Sequence, residues 1–212
     1  MKKIMFNERY GVQSAVLTGA KDMTRRTIKG YYKEVKEYDA NCEKHFIAET
    51  EDGDTVELKP HFEIGEKVAI AQSYEDLANS RYCTELGMMD SPTTFKKEFC
   101  GKGWRNKMFV KAEHMPHQIL ITDIKAERLQ DISNEDAMRE GVYHYDTPPR
   151  FHECDNYAPW PPHVKPYKWD SDNLKYFCEA RWAFKHLINK VAGGYIWNRN
   201  PWVFAYTFKL IK

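Results

Sequence analysis

In the stretch GAKDMTRRTIKG (residues 19–30), Lys21 stands three residues before Thr24, and Arg25 and Arg26 follow at once. A hydroxyl among three cations suits two kinds of chemistry. It can help to hold an anionic or polar ligand, or it can attack a carbonyl if a neighbouring base takes its proton. Lysine serves as that base only when its pKa falls from about 10.4 towards neutrality, through burial or nearby cations. Arg25 and Arg26 are placed to push it that way. A strand with a solvated polar face accounts for the same four residues without chemistry, since threonine favours strands and exposed Lys and Arg are ordinary. Spacing alone does not decide between these.

Other candidates are less well patterned. His114 and His117 lie three apart in HMPH, but Pro116 prevents the helix that would align them, and no third ligand is evident. His144, His152, Cys154 and His163 fall in a proline-rich stretch with no usual zinc spacing. The five cysteines (Cys42, Cys83, Cys100, Cys154, Cys178) are scattered and contain no C-x-x-C pair, which fits neither a disulfide framework nor a zinc ribbon. The expectation is no metal and no cofactor. Trp202 reads either as a core aromatic or as a platform on which a base stacks.

The elements that must position these residues come from periodicity. IMFN (4–7) reads as a short strand. RYGVQSAVLTG (9–19) reads as a brief helix stopped by Gly19. DMTRRTIK then reads as extended, with Thr24 and Arg26 on one face and Arg25 on the other. HFIAET and TVELK flank an Asp-Gly turn and predict a hairpin over 45–59. GEKVAIAQSY (65–74) predicts a buried strand. Residues 80–105 read as an irregular insertion with a short helix near TTFKKEF. QILITDIKAERL (118–129) predicts a long strand. SNEDAMREG (133–141) predicts a short helix with Ser133 as N-cap and Gly141 as stop. Residues 143–171 hold six prolines and predict a lid-like loop or inserted arm. Apolar residues from Leu174 to Val191 follow helical spacing across 172–194, and WVFAYTFKLI (202–211) alternates as a strand with one aromatic face.

A chain of 212 residues with 42% hydrophobic and 30% charged residues has the composition of a soluble globular protein. The net charge of +1 argues against wrapping duplex DNA. Charge is uneven all the same: residues 1–38 carry nine Lys/Arg against four Asp/Glu, and residues 39–66 carry two against nine. The basic segment contains Lys21, so a small anionic or polar ligand stays in play. Without a signal peptide or a long apolar run, the expected location is the cytoplasm, with no membrane partner. The pattern of elements predicts one α+β domain around a small barrel, spanning 1–212 with insertions at about 31–60, 80–105 and 143–171.

LTGAKDMTRRTIK resembles the signature near the start of ASCH-domain proteins, which have a PUA-like β-barrel. FEIGEKVAIAQSY, ILITDIKAERLQDISNEDAMREGV and NPWVFAYTFKLI resemble the later segments of the same superfamily, in order. The resemblance covers roughly residues 4–30, 62–78, 106–142 and 176–212, and is to the longer phage- and prophage-associated branch. It implies a barrel of five or six strands with short helices at its ends, and a host cytoplasm if phage-encoded. A small bacterial member of the superfamily removes the acetyl group from N4-acetylcytidine. Carried over by motif, its proposed catalytic set falls on Lys21, Thr24 and Glu140. Glu140 would then hold the lysine, or protonate the leaving amine if burial raises its pKa. Without the resemblance, Lys21 and Glu140 read as a structural ion pair. Asp22 replaces a common threonine, and Ala71–Gln72 stand where long relatives often carry Arg–Glu. Arg25, Arg26, Gln72 and Trp202 are the candidate ligand-binding residues. The expected partner is a nucleoside or RNA, and the rival reading is a non-catalytic RNA-binding module or a phage accessory protein.

Overall fold

Gly11, Gly19 and Gly141 take positive φ angles of 70°, 77° and 97°, and each sets where a short helix starts or stops. In the computed structural model, which describes residues 1–40, 43–79, 101–144, 157–159, 177 and 179–211, the chain mixes strands with short helices. It is an α+β protein. The chain packs as two compact units. One comprises the described residues within Met1–Phe6, Lys67–Leu120 and Ile211–Lys212; the other comprises those within Asn7–Glu66 and Ile121–Leu210.

In the first unit, β1 (Lys2–Ile4) pairs in parallel with β6 (Lys67–Ile70), Ile4 facing Ile70. β6 in turn pairs antiparallel with Gln118–Leu120, the first residues of the long strand β7 (Gln118–Arg128). Val68, Ala69 and Ile70 are fully buried, as a strand covered on both faces requires. Ala69, Ala71, Tyr74, Leu77, Val110, Ala112 and Met115 form the core of this unit. Tyr74 and Leu77 come from a short helix, α2 (Tyr74–Asn79). The first strand runs from Lys2 rather than over 4–7, because its ladder with β6 ends at Ile4.

In the second unit, β2 (Met23–Thr27) pairs antiparallel with β10 (Trp202–Ile211), Thr24 opposite Tyr206 and Arg26 opposite Phe204. The acidic region forms a three-stranded sheet, β3 (Glu34–Ala40), β4 (Glu43–Glu49) and β5 (Thr55–Leu58), in that order. The expected hairpin is its β4–β5 half. The extra strand, EVKEYDA, is mostly exposed and charged, so apolar alternation does not reveal it. Two three-residue strands, β8 (Val142–His144) and β9 (Tyr157–Pro159), pair antiparallel within the proline-rich stretch. Among the described residues each sheet has a linear strand order.

Four further helices belong to this unit: α1 (Val12–Leu17), α3 (Asn134–Arg139), α4 (Ala180–Ala192) and α5 (Ile196–Arg199). The helix expected over 172–194 begins at Ala180; residues 172–176 and 178 lie outside the described residues, as do the short helix expected near TTFKKEF and all five cysteines. The core joins Leu129, Ile132, Ala137 and Val142 to Ala180, Ala183 and Phe184 of α4, to Ile196 and Trp197 of α5, and to Val203 of β10. That packing holds α3 in place through Ala137 alone, which is fully buried, leaving its other faces for charge.

Candidate functional site

Lys21 is fixed before its side chain is considered. Its backbone N–H donates to the Ala15 carbonyl at 3.0 Å, at the end of α1, and the Asp22 N–H donates to the Arg139 carbonyl at 3.1 Å. Helix α3 is fixed at both ends. The Ser133 hydroxyl accepts from the Asp136 N–H at 3.0 Å, and Gly141, with its positive φ, turns the chain away after Glu140. A helix leaves its last carbonyls without internal partners. Here the Lys21 ammonium fills that role, donating to the Glu140 carbonyl at 2.8 Å. It also donates to the Glu140 carboxylate at Oε2. Lysine and glutamate side chains are only 2% and 5% exposed, so this is a buried ion pair.

Arg25 occupies the centre of the charge. Its guanidinium, 1% exposed, reaches Glu127 Oε1 at 2.6 Å, Glu140 Oε1 at 3.0 Å and Asp136 Oδ2 at 3.2 Å. Phe184 of α4 lies under it, 5.9 Å from the guanidinium carbon to the ring centre. Lys125 closes the outer side on Asp136 and Glu127, and Arg139 pairs with Asp22 at 2.9 Å. Both carboxylate oxygens of Glu140 are therefore engaged, one by Lys21 and one by Arg25.

The proton affinities follow from this arrangement. Burial lowers the Lys21 pKa from its ordinary value; Glu140 opposes that, and the Arg26 and Arg25 cations reinforce it. Burial also works against the charge of Arg25, but Glu140 and Glu127 more than offset it and raise its pKa. Burial pulls Asp136 upward, yet Lys125, Arg25 and Arg139 together bring its pKa below the usual carboxylate value. Lys21 is thus the member of the cluster whose charge is least favoured.

The remaining candidates lie elsewhere in the fold. Thr24 is buried, and strand alternation turns it away from Arg25. Its face carries Tyr206 directly opposite, Arg26 and Phe204, with Phe62 edge-on to Tyr206 at 5.4 Å and Phe46 edge-on to Phe204 at 4.9 Å. Arg26 retains an exposed surface although protein surrounds much of it. That partial desolvation lowers its pKa, against the opposing charges of Glu140 and Tyr206. Trp202 is half-buried; its indole N–H donates to the Tyr32 carbonyl at 3.0 Å and Arg128 stacks over its ring at 4.6 Å. Its N–H and one ring face are thus taken by protein. Gln72 belongs to the other unit, where it is buried and its Oε1 meets no hydrogen-bond partner among the described residues.

Sequence reasoning missed Glu127 and Asp136. Each looks like an ordinary charge, one near the end of a strand and one in a helix's first turn, and only the placing of β7 and β2 on either side of β10 would have suggested a partner. His114 binds Tyr74 Oη at 2.9 Å, and no group of three possible metal ligands occurs among the described residues. His152, Cys154 and His163 lie outside them. No helix of the described residues is long and apolar enough to cross a membrane. No family model, curated protein or solved structure matches the chain.

Proposed function

We propose that this protein is a PUA-like, ASCH-type binder of a nucleoside or RNA base, whose site is built around Lys21 and Glu140. The observation that carries the reading is the buried Lys21–Glu140 pair, in which burial lowers the proton affinity of the lysine. A buried ion pair is a weak stabiliser, because desolvation offsets its attraction. A buried lysine whose pKa is lowered is the kind of group that enzymes use as a base.

The sharper form of the proposal is hydrolysis of an N-acyl amide such as that of N4-acetylcytidine. Lys21, once neutral, takes the Thr24 hydroxyl proton as the hydroxyl attacks the amide carbonyl, and Glu140 holds the lysine. The C–N bond then breaks, Lys21 passes the proton to the leaving amine nitrogen, and an acetyl-threonine ester remains. Water, deprotonated by the neutral lysine, attacks that ester; the C–O bond breaks, acetate leaves and the proton returns to the threonine oxygen. Arg26 would contact the ligand, and no cofactor or metal is required by this scheme. Release of acetate from N4-acetylcytidine is the assay. Lys21→Arg keeps the positive charge but cannot act as a base, and Thr24→Val keeps the strand preference but lacks the oxygen; both are expected to abolish release. Turnover retained in either removes the activated threonine.

A second reading, a non-catalytic RNA-binding module, is favoured by two specific observations. Both Glu140 oxygens are already engaged, and alternation turns Thr24 to the face opposite Arg25. That reading expects no acetate release, and RNA affinity that falls steeply with salt.

A further inference from the structure

A cavity of about 300 Å³ opens in the second unit, and neither Lys21 nor Glu140 lines it. Its floor is apolar: Phe46, Phe62 and Ile124 line it, and all three are buried. Ile64 also lines it while remaining 49% exposed, an apolar side chain left facing water at the edge of an aromatic recess. The volume lies at the lower end of the range for small-molecule sites, roughly 300–1,000 Å³.

The charge around this floor is one-sided. Lys44 lines the cavity, but its ammonium is held by Asp123 at 2.7 Å and by the Ile124 carbonyl at 2.9 Å, so its charge is spent locally. Glu43 and Glu63 line it as well and form no ion pair among the described residues. A ligand with an aromatic body and an ammonium group would cover the apolar floor and complement both carboxylates. An anionic ligand would meet those carboxylates as repulsion, and a neutral one would leave them unanswered.

We propose that this cavity is a binding site for a small organic cation, an ammonium group carried on an aromatic body. None of Lys21, Thr24, Arg26 and Glu140 lines this cavity, although its residues Phe46 and Phe62 pack on Phe204 and Tyr206, on the face of the β2–β10 pair that also carries Thr24 and Arg26.

Tryptamine, tryptophol and indole-3-propionate share one ring and differ in charge, so titrating each into the full-length, isotope-labelled protein tests the proposal. The expected result is saturable binding of tryptamine that shifts the signals of Phe46, Phe62, Ile64 and Ile124. Two exposed carboxylates together are expected to make tryptamine bind about tenfold more tightly than tryptophol, with indole-3-propionate weakest. In the E43Q/E63Q variant, whose changes are isosteric and lie on exposed residues, tryptamine should fall to the tryptophol affinity while tryptophol is unchanged. Equal affinity for the three probes, an unaltered tryptamine affinity in the variant, shifts confined to other residues, or no saturable tryptamine binding would each overturn the proposal.

Discussion

Replacing Glu140 with glutamine would change one atom and leave two buried cations to find other company. Arg25 would keep Glu127 at 2.6 Å and Asp136 at 3.2 Å and remain compensated. Lys21 would keep only neutral acceptors, the residue 140 carbonyl at 2.8 Å and the new amide oxygen. Removing one partner of a buried pair costs about 3–5 kcal/mol, and the retained acceptors put this case near the lower end. About 3 kcal/mol corresponds to a fall in Tm of roughly 10 °C for a chain of this length. The loss should depend on pH. Unfolded, Lys21 titrates at its ordinary value of 10.5; folded, its pKa is lower, and lower still without Glu140. Between those two values the unfolded state binds more protons, so stability rises with pH through that window. The deficit of Glu140→Gln is therefore largest near neutrality and shrinks as pH approaches 10.5. Urea titrations of wild type and variant at pH 7 and pH 9.5 measure both quantities. The double variant Lys21→Met/Glu140→Gln, which buries no lone charge, should recover much of the loss. A deficit under about 1 kcal/mol at pH 7 would refute the assignment of Lys21 as a buried ammonium sustained by Glu140.

Three further outcomes are expected. Ser133→Ala should cost about 1 kcal/mol by removing the acceptor for the Asp136 N–H, read as a shift in the urea midpoint at unchanged slope. Gly141→Ala should cost about 1–3 kcal/mol through its backbone, since φ is 97° while an added Cβ would meet only ordinary contacts with Ala15 and Lys21 at 3.6 Å; thermal unfolding checks it. Gln72→Met, close in shape, removes a buried Oε1 that has no partner and should be neutral or stabilising by up to about 1 kcal/mol; a clear loss of stability would show that the amide oxygen is bonded in solution.

Local elements were legible wherever one face is apolar or one residue must cap. The alternation of Phe204, Tyr206 and Phe208, the Ser133 cap and the Asp-Gly turn between β4 and β5 were all readable, because each depends on residues close in sequence. Strand β3 was not, since it places only Val35 in the buried class and carries charge elsewhere. The pairing of Lys21 with Glu140 spans 119 residues, and no local period encodes it; only the motif resemblance put the two together. Arg25 was expected to act on Lys21 or on a ligand. Its engagement with Glu127 and Asp136 depends on which strand flanks β10 on the side away from β2 and on where α3 packs, a matter of topology that residue types do not carry. Trp202 shows the converse: its type suggests a stacking surface, and the stacking partner is the protein's own Arg128.

The way Arg25 is held also bears on how the chain reaches this state. Its three carboxylate partners are 102, 111 and 115 residues away in sequence. Closing such distances costs chain entropy before any contact returns it, and the charges lose water before all their partners have arrived. A cluster that assembles only after β2, β7 and α3 have been brought together by their apolar neighbours would be absent from the folding transition state. Interactions absent from the transition state act on the unfolding rate alone. In that order of events the buried charges would govern how long the native state lasts, and the core the speed of its formation.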